Sequence, residues 1–395
     1  MRGPYAGGET RSLCPNARIW IVMRLVVFGL PLLIVILNWL WPLPLPFGVK
    51  MLAAALVVVA ALYHYWSRLS SGSVFAPEFP RPFVILFNWA FGALLFLTLL
   101  QVVLDFGALA VALVTWQPVY IPVGARAAVG GIAGGLAAIG VANAIRVPPV
   151  RDVTVTIPGL SPLFDGYRLL QLTDMHISRL FPASWAASVV ERANATGADM
   201  IVVTGDFIDG SVAMRCADVA PLARLHAPDG VLAIPGNHEY FFDYDDWMHH
   251  LSELGFHMLL NRHVVITREG AELVCAGVTD RSAPGHGQAG PDLVAALAGS
   301  PAGAPVVLLD HQPGDAHTAS KLGVALQLSG HTHGGMIFGL DRLVARGNSG
   351  FVSGRYDLGG MTLYVSNGTG LWPGFALRLG RPSEITLFHL RADNA

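Results

Sequence analysis

Between Leu25 and Asn143 the chain carries six formally charged side chains, Lys50, Arg68, Glu78, Arg81, Asp105 and Arg126. The uncharged stretches between them are long enough for helices of the ~20 residues that cross a bilayer core. Over all 395 residues the chain is 53% hydrophobic and 13% charged, too apolar for an ordinary soluble enzyme. This pattern predicts a transmembrane region over residues 1–146, with about four helices near 20–41, 49–66, 83–104 and 127–144, and the lipid bilayer as a partner. Trp39, Trp41, Tyr63, Tyr65 and Trp66 fall at the proposed span ends, where amphipathic rings favour the headgroup layer. The last span is rich in Gly and Ala, which lets helices approach closely. Residues 106–123 are also uncharged, but Pro118 and Pro122 interrupt them, so a loop or re-entrant piece is expected there. Three more apolar spans after the first argue against a cleavable leader. Arg and Lys in the tail (Arg2, Arg11, Arg18), the second loop (Arg68, Arg81) and the exit (Arg146, Arg151) outnumber Lys50 and Arg126 on the other side, which places the C-terminal part in the cytoplasm.

After the prolines of VPPV at 147–150 the texture becomes that of an α/β enzyme, and residues 147–395 are read as a catalytic domain. Short β-rich runs such as YRLLQLT, MIVVTG, VLAIPG, PVVLLDH and VALQLSG alternate with helical patterns such as SWAASVVERANA. Every candidate chemical residue stands where one of those runs gives out: Asp174 and His176, then Asp206, then Asn237 and His238, then His311, then His331 and His333. Ligands in layered α/β folds collect at such carboxyl ends. On an extended segment, Asp-x-His or His-x-His would send both side chains to one face.

Carboxylate, amide and imidazole together make a shell suited to Mn²⁺, Fe or Zn²⁺, with no thiolate among them. One carboxylate can bridge two ions, and such a pair clamps a phosphoryl group while making water nucleophilic at neutral pH. Asp206 is the best bridging candidate, because its neighbour Gly205 has no Cβ and lets the backbone pass close to the site.

In order, Asp174-x-His176, Gly205-Asp206, Gly236-Asn237-His238-Glu239, His311 and Gly330-His331-Thr332-His333 resemble the complete signature of the calcineurin-like metallophosphoesterases. The resemblance covers roughly residues 151–391, and the hydrophobic first half looks like the membrane-anchored bacterial branch, multi-pass in an inner membrane. It implies a four-layer αββα sandwich with two mixed β-sheets, preceded by the transmembrane helices. It also implies two divalent metal ions, one held by Asp174, His176 and His333, the other by Asn237, His311 and His331, with Asp206 bridging and His238 free to protonate a leaving group. The activity implied is hydrolysis of phosphoester or phosphoanhydride bonds in a phosphorylated small molecule or lipid, for example a UDP-diacylglucosamine-type pyrophosphate. Met336 and Asn367 depart from the family pattern where a polar and a basic side chain are common, and Gln312-Pro313 slightly alters the context of His311.

Other residues have blander readings. His226, His249, His250, His257, His263, His286 and His317 are expected to be structural. Asp209 either orients a ligand or caps a turn; Glu239 and Asp280 are similarly open; Arg378 either meets a substrate phosphate or forms a salt bridge within the fold. Cys14, Cys216 and Cys275 are scattered singly, without the spacing of a disulfide framework or zinc knuckle. A net charge of −2 supplies no basic field for nucleic acid, so none is expected as a partner. Two other classes compete with the enzyme. A membrane sensor or scaffold with a phosphoesterase-like domain would not need an intact ligand set. A transporter would need polar groups within the spans, where Asn38 and Asp105 are nearly alone.

Overall fold

A computed structural model describes residues 29–393, so the first part of the span expected near 20–41 lies outside the described residues. From Leu30 to Leu40 that segment is helical, and it is followed by Phe47–Ala61 and Tyr63–Ser71, two helices bent by 56° at their junction. Arg81–Thr115 and Val123–Ile145 are long and apolar enough to cross a membrane, and the bent pair makes up to three such elements among the described residues. The loop expected over 106–123 is a correction. The helix runs on to Thr115, and only residues 116–122 form the connection. Pro118 and Pro122 fall beyond the helix, while the Ala- and Leu-rich stretch before them has nothing to break it.

By compactness the chain divides into two units, one comprising the chain up to Tyr63 with Ala90–Leu136, the other His64–Trp89 with Ala137–Ala395. Val35, Ala61, Leu94, Leu97 and Ala133 form the core of the first. Its few polar groups find one another: Asn38 Nδ2 donates to Asp105 at 2.8 Å and Gln101 Nε2 to the same carboxylate at 2.7 Å. Such pairing is what an apolar surrounding demands of them.

The second unit is built on two six-stranded sheets. Strands β1 (Val150–Ile157), β2 (Arg168–Leu172), β3 (Met200–Thr204), β4 (Val231–Ile234), β5 (His257–Met258) and β12 (Ile385–Ala392) form the first, in the order β1-β12-β2-β3-β4-β5. Strands β6 (Arg262–Arg268), β7 (Ala271–Gly277), β8 (Val306–Leu309), β9 (Leu326–Ser329), β10 (Gly354–Asp357) and β11 (Thr362–Val365) form the second, in the order β10-β11-β9-β8-β7-β6. Both are mixed. β2 through β5 run parallel while β12 opposes β2, and β7, β8, β9 and β11 run parallel while β6 and β10 oppose their neighbours.

The layers follow from the two-residue period of a strand. Leu169, Met200, Val202 and Leu232 point from the first sheet into a core shared with Cys275, Val307, Leu309 and Leu328 of the second. Their alternates Leu170, Ile201, Val203 and Ala233 pack outward against Trp185, Val189 and Ala193 of the helix Ala183–Asn194. On the far side Val274, Ala276 and Leu308 meet Ala296, Ala316 and Ala319 from the short helices over that face. The result is helix, sheet, sheet, helix. Central strands buried on both faces explain why MIVVT and VVLL read as unbroken apolar runs.

His64–Trp89 joins this unit through polar contacts. Asn88 is buried, donating from Nδ2 to the Pro373 carbonyl at 2.8 Å and accepting from the Ala376 amide at 2.7 Å. Glu78 pairs with Arg179 at 2.7 Å and with the buried Arg215, and Arg81 Nε donates to the Leu180 carbonyl at 2.9 Å. None of this is visible in hydropathy, because an apolar profile does not record which few polar side chains have partners.

Candidate metal centre

β2, β3, β8 and β9 end at Leu172, Thr204, Leu309 and Ser329, and Asp174, Asp206, His311 and His331 each stand two residues further on. β4 ends at Ile234, three residues before Asn237. Five neighbouring strand ends, three from one sheet and two from the other, thus deliver the candidate ligands to one place. The pleat does not aim them, as the extended reading expected. Asp174, His176, Asp206, His331 and His333 all have positive φ, between 46° and 67°, a region that side chains with a Cβ seldom enter. A left-handed turn at each of these residues aims its side chain, and such strain gathers at functional sites. Gly205 and Gly330 make the crowding possible: a Cβ on Gly205 would lie 2.5 Å from the Gly236 nitrogen, and one on Gly330 would lie 2.2 Å from Asp174 Oδ2.

The eight predicted residues come together, and apart from the partly buried His331 all are buried. Asp174, His176 and His333 present donor atoms within 4.8 Å of one another, as do Asp206, His311 and His331. Asp206 Oδ2 lies 3.7 Å from His176 Nε2 and 3.3 Å from His311 Nε2, so one carboxylate oxygen faces both clusters. Asn237 Oδ1 is 3.1 Å from His311 Nε2 and 2.9 Å from His331 Nδ1.

Hydrogen bonding shows why these atoms fit cations. The Thr204 carbonyl, which can only accept, is 2.7 Å from His311 Nδ1 and fixes the proton there. A neutral His311 therefore turns the lone pair of Nε2 toward Asp206 and Asn237, so three electron-rich atoms converge. His176 repeats the pattern, with Nδ1 3.2 Å from Asp209 Oδ2 and Nε2 3.2 Å from His333 Nε2. Such convergence is repulsive unless a positive charge intervenes, either a proton or an ion. In the protein alone a proton serves at His311, whose pKa stands well above its ordinary value: burial opposes the charge, but Asp206 overrides it. His331 is lowered to about 4, by burial first and then by His311, and His333 falls well below its usual range through burial and His176. Both are thus neutral donors near pH 7. The clustered Asp and His groups are compatible with a dinuclear metal site.

Asp209 is the residue whose role the sequence left open. Fully buried, it accepts from His238 Nδ1 on Oδ1 at 2.5 Å, and its Oδ2 lies 3.2 Å from His176 Nδ1, so one carboxylate stands beside two rings. Its signal was its spacing, three residues after Asp206. His238 Nε2 is left 4.0 Å from Asp206 Oδ2. Burial disfavours a proton on His238, yet Asp206 and Asp209 outweigh it and raise its pKa to about 9. Glu239 accepts from the amides of Gly236, Asp206 and Phe207 at 2.7, 3.0 and 2.8 Å, tying two strand ends together.

The open reading of Arg378 closes differently from either alternative. Arg378 is buried and spends its guanidinium on four carbonyls, those of His333, Asn367, Gly370 and Arg381, bolting the closing segment to the His333 turn. Asn367 accepts from Ser353 Oγ at 2.7 Å and donates to the Pro382 carbonyl at 3.1 Å, so it fastens the loops. Asp280 is held by Gln312 Nε2 at 3.0 Å and by the Ser282 amide, which gives it a loop-fixing part. His317 packs on Phe351, a structural place as expected.

Residues 167–335 match the family model described as calcineurin-like phosphoesterase. An uncharacterized metallophosphoesterase of Bacillus subtilis is 31% identical over 238 residues, which cover 58% of this chain and 81% of that protein. The chain belongs to the metallophosphoesterase family. Another metallophosphoesterase, a zebrafish (Danio rerio) protein described as a transmembrane protein with metallophosphoesterase domain, is 34% identical over 263 residues, covering 64% of this chain and 59% of its own length. An uncharacterized metallophosphoesterase of Campylobacter jejuni is 32% identical over 251 residues, 63% of this chain and 65% of its own. The chain therefore spans about three fifths of the length of these two relatives. The family membership and the ligand-like clusters agree on the same strand ends.

Proposed function

We propose that the chain is a metal-dependent hydrolase of phosphoester or phosphoanhydride bonds. The observation that carries this is the single oxygen, Asp206 Oδ2, facing His176 on one side and His311 on the other. In this reading Asp174, His176 and His333 would hold one ion and Asn237, His311 and His331 the other, with Asp206 available to both; Mn²⁺, Fe and Zn²⁺ all suit the donor set. Two such ions supply a nucleophilic water and neutralise charge on the phosphoryl oxygens.

The chain's own residues do the rest. Asp209 fixes the orientation of the His238 ring by accepting from Nδ1, and stands beside Nδ1 of His176. His238 keeps a proton at Nε2, the atom turned toward the space beside Asp206. As the bond between phosphorus and the attacking water forms, the bond to the departing oxygen breaks and takes that proton. The apolar helices and the relative described as a transmembrane protein support a multi-pass membrane protein, which this reading assigns to a bacterial inner membrane, and the excess of Arg and Lys in the tail, the second loop and the exit supports its orientation. Its catalytic unit would face the cytoplasm and act on a lipid-linked or membrane-proximal substrate, such as a UDP-diacylglucosamine-type pyrophosphate. The domain reading, helices through residue 146 and catalysis after it, is part of the same proposal.

The test is turnover of bis-p-nitrophenyl phosphate by the full chain in detergent with Mn²⁺. Hydrolysis that Asp206→Asn abolishes supports the proposal. A metal-loaded, folded chain that is inert toward this substrate and toward p-nitrophenyl phosphate and pyrophosphate would sink it.

A further inference from the structure

The imidazole of His238 has two unlike neighbourhoods. One is acidic, formed by Asp206 and Asp209. The other is aromatic: Phe75 meets the His238 ring edge-on with centroids 5.0 Å apart, and Phe241 lies against it at 5.2 Å. Phe75 in turn stacks on Phe241 at 5.5 Å with 17° between planes, and meets Trp372 edge-on at 5.6 Å. Phe241 remains 40% exposed, and Phe75 and Trp372 are half-buried.

Phe75 comes from the stretch between the helices Tyr63–Ser71 and Arg81–Thr115, so a segment between apolar helices supplies part of the rim of the centre. Its place is secured independently of the rings. Glu78, three residues on, is paired with Arg179 and Arg215, and Arg81 is bonded to the Leu180 carbonyl. A side chain held this firmly beside the proposed acid is in position to touch substrate.

We infer that Phe75, Phe241 and Trp372 form an apolar seat for the departing part of the substrate, so that the chain prefers phosphate esters whose leaving group carries hydrocarbon close to the scissile oxygen. The inference rests on the proposed role of His238. A leaving oxygen must come within hydrogen-bond reach of the imidazole to take its proton, ~2.6–3.2 Å. The next atoms of the leaving group are then carried onto the rings beside it. The carbon faces of Phe75 and Phe241 offer a polar leaving group no hydrogen bond in exchange for the water it would lose against them. A nucleobase needs an open ring face to stack on. The inner face of Phe75 is already covered by Phe241, which favours a flexible chain over a flat base.

Non-hydrolysable phosphonates test this in the full chain in detergent, loaded with Mn²⁺. Hexylphosphonate, 2-hydroxyethylphosphonate and the adenosine phosphonate in which CH2 replaces the 5′-oxygen of the nucleotide are compared as inhibitors of bis-p-nitrophenyl phosphate hydrolysis, and their affinities are also titrated calorimetrically. The expected result is hexylphosphonate binding about tenfold more tightly than 2-hydroxyethylphosphonate, a margin that burial of a few methylenes supplies. Phe75→Ala should bring that ratio close to one. Phe241→Ala, at a more exposed ring whose loss threatens the fold less, should lower it in the same direction. A ratio near one in the unaltered chain overturns the inference, as does a ratio unchanged in both variants. A preference for the adenosine phosphonate that both variants abolish overturns it in favour of a base platform. Calorimetry gives the ratio whether or not hydrolysis is seen, so an inert enzyme defeats the proposed function without deciding the seat, and an active enzyme without preference defeats the seat alone.

Discussion

The two ends of the sandwich both join its sheets through charged groups, and they do so in opposite ways. At the amino ends of β2, β3 and β4, Arg268 from the second sheet reaches Asp199 at 2.9 Å and Asp229 at 3.3 Å, and its guanidinium lies 4.5 Å from the Tyr167 ring. Tyr167 donates to Asp229 at 2.7 Å, and the Arg168 amide donates to Asp199. Arg268, Asp199 and Asp229 each have an opposite charge beside them, and Arg268 is 33% exposed. At the carboxyl ends the groups are buried, five of them sit in left-handed backbone, and nitrogen lone pairs face oxygens. The first arrangement is complete as protein. The second is complete only with added positive charge, and it marks a centre built to take something up rather than a brace.

That contrast can be tested from its strongest point downward. Asp206→Asn should cut turnover of bis-p-nitrophenyl phosphate by more than about a thousandfold and halve the bound metal, because one oxygen serves both clusters; elemental analysis beside the rate checks both. Full metal occupancy in that variant would break the bridging assignment. His238→Gln should lose about 10²–10⁴ in kcat while retaining both ions, and metal loss instead would make it a ligand. Asp209→Asn should cost about 10–100-fold in activity or metal affinity, since it only orients rings. The smallest effect belongs to the other end. Arg268→Ala should lower stability by about 1–2 kcal/mol through its exposed ion pairs and ring contacts, read by denaturant unfolding, with kcat unchanged. A large loss of activity there would erase the distinction between brace and centre.

Much of the centre was legible because metal chemistry restricts residue type. Few side chains bind hard cations, and they stand directly after apolar strands, so Asp174, Asp206, Asn237 and the histidines could be picked out one by one. The layered fold was legible for a related reason: parallel strands buried on both faces leave unbroken apolar runs. What aims the ligands was not, because left-handed turns at Asp174 or His333 have no composition of their own. Nor was the pairing of Asp209 with two histidines, which depends on distances between separate strand ends. The helix over Arg81–Thr115 outran expectation because two prolines, Pro118 and Pro122, were read as interrupting a segment they only terminate. Phe75 lay in the loop between two expected spans, and only its contacts reveal a place beside His238.

The inclusion of His64–Trp89 with the sheets makes the second unit discontinuous along the chain. No single cut frees it. Cleavage within 116–122 would divide the polypeptide yet leave Asn88, Glu78 and Arg81 holding their fragment to the other, and the two would travel together until denatured. A fragment beginning at residue 147 would instead leave the Pro373 carbonyl and Ala376 amide without Asn88 and Arg215 without Glu78.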